Sequence, residues 1–140
     1  MPSDNVDSIS GRFSETWKER PEAALGVPFL NYIKDNISNS FLPFSEFVFI
    51  AKKNNIEDVN VVMNVLNFFS GDWIKLLCIG YEYIDPDGDV VFELDEQQVH
   101  DVFHGKINPI THSFDESIYS KIFVYYYPSK HAKNIFREGV

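Results

Sequence analysis

The stretch FSEFVFIAKKNNIEDVNVVMNVLNFFSGDWIKLLCIGYEYIDPDGDVVFEL, residues 44–94, decides the fold of this 140-residue chain. Phe44, Phe47, Val48 and Ala51 recur at helical spacing after Pro43, which predicts a helix over Phe44–Asn54. Asn55–Asp58 reads as a tight turn. Asp58 is placed to cap a second helix, Val59–Ser70, which Gly71 stops. At about 100° per residue, Asn60, Asn64 and Asn67 share one narrow polar stripe of that helix. Val61, Val62, Met63, Val65, Leu66, Phe68 and Phe69 fill most of the remainder, the pattern of a helix nearly surrounded by apolar contacts. Trp73–Ile84 and Val90–Leu94 are rich in β-branched and aromatic residues and read as strands. Between them Pro86 presets the first corner of a hairpin turn and Gly88 supplies a positive φ.

Outward from this stretch, Phe29, Tyr32, Ile33 and Ile37 predict an earlier helix, broken at Asn39-Ser40. Phe13–Arg20 predicts a short helix ended by Pro21, with residues 1–28 forming an N-terminal arm that packs across the domain and Met1–Ser10 fraying. Downstream, Asp95 caps a helix through His104 that Gly105 stops, and Asn108-Pro109 marks a loop. Ile118–Tyr127 reads as a third strand ended by Pro128, and Lys130–Val140 as a basic tail compatible with a last helical turn. Without a long linker or a repeat, residues 29–140 are expected to form a single domain.

The run Ile50-Ala51-Lys52-Lys53-Asn54-Asn55-Ile56-Glu57-Asp58-Val59, together with the element order over about Phe29–Leu94, resembles a winged helix-turn-helix domain. The resemblance implies an α+β, winged-helix-like fold with helices packed on a three-stranded antiparallel sheet. Members of this superfamily often act as DNA-binding regulators, and others are protein-interaction modules without a basic surface. Here the second helix is apolar and the wing acidic.

Charge separates those outcomes. The chain carries −9 at pH 7, and within residues 44–94 three lysines stand against nine carboxylates, a net of −6. Phosphate neutralisation supplies most non-specific nucleic-acid affinity, so duplex DNA is an unfavourable partner, and anionic membrane surfaces are equally unfavourable. With 44% hydrophobic and 16% aromatic residues the chain can build a real core and leave aromatics for an interface. The single Cys78, in the apolar run Leu76–Ile79, permits no intrachain disulfide and reads as a buried structural thiol. The polar N-terminus lacks a secretion-signal pattern, and no apolar run approaches the ~20 residues of a membrane span. These features together predict a cytoplasmic protein.

Several groups could carry chemistry. His100 and His104 lie four apart on a helix, with His112 beyond, but Asp101 stands where a zinc-hydrolase helix would have glutamate, and surface histidines near a helix end are the plainer reading. Asp85, Asp87 and Asp89 miss calcium-loop spacing, because the first and twelfth positions fall on Tyr83 and Leu94. No metal or cofactor is therefore expected. Lys121, Lys130, His131, Lys133 and Arg137 surround Tyr125–Tyr127, a mixture that can bind single strands or an acidic surface. No phosphate loop or nucleophile elbow is present, which predicts a non-enzymatic protein.

The expected function is protein binding by an adaptor, inhibitor or immunity-like protein, through Asn60, Asn64 and Asn67 and the hairpin tip Asp85, Asp87 and Asp89. The partner would present a basic surface, and a homodimer is also compatible with the sequence. The alternatives are a winged-helix regulator working as a dimer, with Lys52, Lys53 and the Asn60–Asn67 stripe against DNA and Lys130, Lys133 and Arg137 as further nucleic-acid contacts, and a nucleic-acid mimic occupying the cleft of a nuclease or other DNA-binding protein.

Overall fold

Side-chain caps start four of the six α-helices in the computed structural model, which describes residues 5–138. The first helix, α1, spans Val6–Trp17. It starts well before Phe13, because Asn5 and Ser8 form a reciprocal capping box: the Ser8 N–H donates to Asn5 Oδ1 at 2.8 Å and the Asn5 N–H to Ser8 Oγ at 3.0 Å. The expected fraying is thus corrected for Asn5–Ser10, and Met1–Asp4 lie outside the described residues. A 3-10 segment, Pro21–Leu25, leads into α2, Gly26–Asp35. Gly26 is required where it sits, since a Cβ there would lie 2.5 Å from the Phe13 ring.

The central helical pair occurs where its periodicity and caps place it, as α3 (Phe44–Lys53) and α4 (Val59–Ser70). Asp58 Oδ1 accepts the Asn60 N–H at 2.9 Å, capping α4. Strands β2 (Leu77–Ile84) and β3 (Val91–Glu93) follow, then α5 (Glu96–Gly105), which Asp95 caps. A 3-10 turn at Ile118–Lys121 precedes strand β4 (Ile122–Pro128) and the last helix, α6 (Lys130–Glu138). The basic tail is therefore helical over Lys130–Glu138, and Gly139 and Val140 lie outside the described residues. Ser129 caps it: its Oγ accepts the Ala132 N–H at 2.9 Å and donates to the Lys75 carbonyl.

The fold is α+β, with six α-helices and an antiparallel sheet among the described residues. The sheet has four strands, not three, because Leu42–Pro43 forms an additional strand, β1, and the order is β1-β4-β2-β3. Two residues are too few for alternation to register in a sequence. The first hairpin strand begins at Leu77 rather than Trp73, because residues 71–74 make a turn and Lys75 takes a positive φ of 47°.

The chain forms two units, residues 1–78 with 126–140 and residues 79–125. The boundaries fall inside β2 and β4. In the first unit, α1 contributes Ile9 and Phe13 to a core with Phe29, Phe47, Leu66, Phe69 and Tyr126. Phe13 stacks on Phe69 at 5.4 Å, and Phe47 meets Phe29 edge-on at 5.1 Å. The second unit has a small core of its own, Tyr83, Leu94, Val102 and Ile118. Such a limited core leaves much of this unit's apolar surface outside.

Candidate partner-binding surface

The second unit holds most of the net charge. Residues 79–125 contain ten carboxylates and two lysines, a net of −8 within a chain of −9. They also supply nine of the fourteen large apolar side chains exposed among the described residues. Acidic and apolar exposure coincide in one third of the chain.

Its hairpin is built as the turn residues dictate. Gly88 takes φ 76°, its N–H donates to the Asp85 carbonyl at 2.8 Å, and the Asp85 N–H donates to the Val90 carbonyl at 2.9 Å. Asp87 and Asp89 are exposed at the tip and Asp85 is half-buried. The register pairs Glu82 with Glu93, Tyr83 with Phe92, and Ile84 with Val91. The Leu94 N–H bonds the Tyr81 carbonyl, so hydrogen-bonded pairs alternate and Glu82–Glu93 falls at a non-hydrogen-bonded position. Side chains approach most closely there, and like charges directly opposite repel. Neither glutamate joins an ion pair among the described residues.

Strand alternation sorts the rest. Tyr81 and Tyr83 face the small core, and Gly80, Glu82 and Ile84 point the other way with Val91 and Glu93. Ile122 packs on the core, which turns Phe123 and Tyr125 of β4 to the glutamate side. The Tyr125 ring lies directly over Gly80, leaving no room for a Cβ there. This sheet face thus mixes two paired carboxylates with Val91, 52% exposed, and Phe123, 49% exposed.

A loop, residues 106–117, displays further apolar groups on a polar frame. Asn108, buried, accepts the N–H groups of Ile110 and Thr111 at 2.7 and 3.2 Å and donates to Asp115 Oδ2 at 3.0 Å. Asp115 also receives the Lys121 ammonium at 2.8 Å and the Ser117 N–H at 3.0 Å. The Lys121 bond foremost, then Asn108, holds the Asp115 carboxyl well below the usual carboxylate range, and the same contact raises Lys121. On this frame stand Ile110 and Phe114, the latter 66% exposed. Tyr81, Phe103 and Tyr119 form an aromatic row at 5.3 and 5.7 Å, with the Lys106 ammonium 5.4 Å from the Tyr119 ring.

The residues expected at the site divide between the units. Asp85, Asp87 and Asp89 belong to the second. Asn60, Asn64 and Asn67 lie exposed on α4 in the first, but the Asn64 amide donates to the buried Glu22 carboxylate at 2.8 Å and so has a structural task. Asn67 lines a cleft of about 810 Å³ with Gly11, Arg12, Phe68 and Trp73, whose indole is 88% exposed. Lys53 sits 4.4 Å over the Phe49 ring at the end of α3, beside Lys52. Lys133 and Arg137 border a second cleft, of about 550 Å³, with Lys34, and Lys130 opens α6. His100 and His104 stack at 4.1 Å, and no group of three or more metal-ligating side chains occurs among the described residues. Cys78 is half-buried. No described helix is long and apolar enough to cross a membrane.

No protein-family model, curated protein or solved structure matches the chain. The surface must be read from its own chemistry. Phe103, Ile110, Phe114, Tyr119 and Phe123 are its unanticipated members. Phe114, an aromatic inside Thr111-His112-Ser113-Phe114-Asp115-Glu116-Ser117, carried the one legible signal, since a polar loop has no need of it.

Proposed function

We propose that the protein is a non-enzymatic binding module whose second unit docks a protein with a basic surface. The observation that carries this reading is the coincidence of charge −8 and nine exposed large apolar side chains within residues 79–125. Carboxylates steer a basic partner into encounter, and desolvated aromatics at the centre of a contact supply its affinity. Of these, Ile110 and Phe114 stand on a braced loop and Val91 and Phe123 on one strand face, so little ordering cost opposes docking through these four. Duplex DNA would meet repulsion across this unit. The winged-helix resemblance fits the order α2, β1, α3, α4, β2, β3, and an interaction module is the form of that superfamily compatible with the acidic hairpin.

The test is affinity capture with two baits, the wild-type chain and an Asp85→Lys, Asp87→Lys, Asp89→Lys variant, quantified by mass spectrometry. The reading expects a basic protein held by the first and lost from the second. Submicromolar, sequence-specific binding of duplex DNA in an anisotropy titration overturns it. A second reading, occupation of a nucleic-acid-binding cleft, draws on the same carboxylates and is separated by whether added duplex DNA displaces the captured partner.

A further inference from the structure

Strand β3 ends the sheet, hydrogen-bonded to β2 alone. Its register fixes where its backbone groups point. Val90, Phe92 and Leu94 sit opposite Asp85, Tyr83 and Tyr81 at hydrogen-bonded positions, shown by the Asp85 N–H to Val90 carbonyl and Leu94 N–H to Tyr81 carbonyl bonds, both 2.9 Å. The N–H and C=O groups of Val91 and Glu93 therefore point away from β2. Both residues are exposed, and no backbone bond from either to another part of the chain occurs among the described residues. Natural sheets blunt such edges by keeping them short, with charged side chains (lysine above all), with a proline or with a covering segment. This edge is short, three residues, and has neither lysine nor proline. Here Val91 leaves the edge apolar, and Glu93 adds a second carboxylate opposite Glu82.

We infer that this edge takes up an extended, basic segment of the partner as an added strand, through the outward N–H and C=O groups of Val91 and Glu93. The inference rests on the docking function proposed above and specifies its mode. Strand addition gains affinity from main-chain bonds and selectivity from alternate side chains. Alternate lysines or arginines of the added strand reach Glu93 and the Glu82 beside it, relieving the like-charge pair, while intervening apolar residues lie over the opposite face. A second copy of this chain is the wrong occupant: pairing β3 with itself brings two units of charge −8 together and sets glutamates against glutamates.

The experiment uses the full chain and a fluorescein-labelled peptide of alternating lysine and valine. A control peptide carries the same charge with alternate backbone nitrogens methylated. Anisotropy gives the affinity, and amide NMR shifts give the place. The expected result is at least tenfold weaker binding of the methylated peptide, with the largest shifts at the Val91 and Glu93 amides. Val91→Pro removes an outward donor without touching a β2 bond and should weaken the unmethylated peptide to a similar degree. Equal binding of the two peptides overturns strand addition while leaving a charge-driven docking function standing. No binding of either peptide at low salt overturns both. A concentration-dependent dimer that shifts the Val91 amide without peptide overturns the choice of occupant.

Discussion

Replacing Asn108 with alanine should release the loop that displays Ile110 and Phe114. The side chain makes three hydrogen bonds: two accepted from the Ile110 and Thr111 N–H groups and one donated to Asp115. It is 5% exposed, so water does not replace them without rearrangement. At about 1 kcal/mol net for each bond the loss is about 3 kcal/mol. With 1.4 kcal/mol per factor of ten, the open population of the loop should rise roughly 100-fold. Native-state hydrogen exchange reads this at the His112 and Asp115 amides, whose own bonds to the Asn108 and Lys106 carbonyls do not involve the altered side chain. A fall in protection of about two orders of magnitude at both amides is expected. Protection unchanged within threefold would refute the idea that Asn108 braces the loop.

Gly80→Val places a branched side chain where the Tyr125 ring lies and should destabilise the protein by about 2 kcal/mol or more, read as a lower urea midpoint. Glu93→Gln removes the cross-strand repulsion with Glu82 and should stabilise by a few tenths of a kcal/mol in the same assay while weakening the lysine–valine peptide. For Asp115 the folded carboxyl titrates below its unfolded value, so its stabilisation is complete above about pH 4 and is lost as pH falls through the folded value. The stability gap between wild type and Asp115→Asn should therefore shrink between pH 4 and pH 2 in urea titrations. Asp58→Ala removes the α4 cap and should cost about 1 kcal/mol of stability by thermal denaturation.

Local chemistry explains which parts of the fold were legible in the sequence. Asp58, Gly71, Gly88 and Asp95 act on neighbours a few residues away, so the helix pair, the hairpin turn and the start of α5 could be read directly. The Asn5–Ser8 box is equally local, but the Ser, Asp and Gly residues around Val6 and Ile9 mask the helical spacing of these two to Phe13. Strand β1 exists because Leu42–Pro43 meets a partner some eighty residues later, which no periodicity in two residues reveals. The tip carboxylates were legible as charge. Their concentration in one unit was not, because the boundaries at Cys78 and Tyr126 fall inside strands and leave no linker to notice. The exposed aromatics escaped for a related reason: the pattern of Phe103 or Phe123 is that of a core residue, and only a core as small as Tyr83, Leu94, Val102 and Ile118 leaves them outside.

The most direct test of the central claim is a hydrogen–deuterium exchange footprint of the chain bound to the partner it captures. The account predicts protection concentrated in residues 79–125, strongest at the Val91 and Glu93 amides and across the 106–117 loop, with residues 5–78 unchanged. Protection confined to α4, Lys52 and Lys53, or α6, with the acidic unit exchanging as in the free protein, would contradict it.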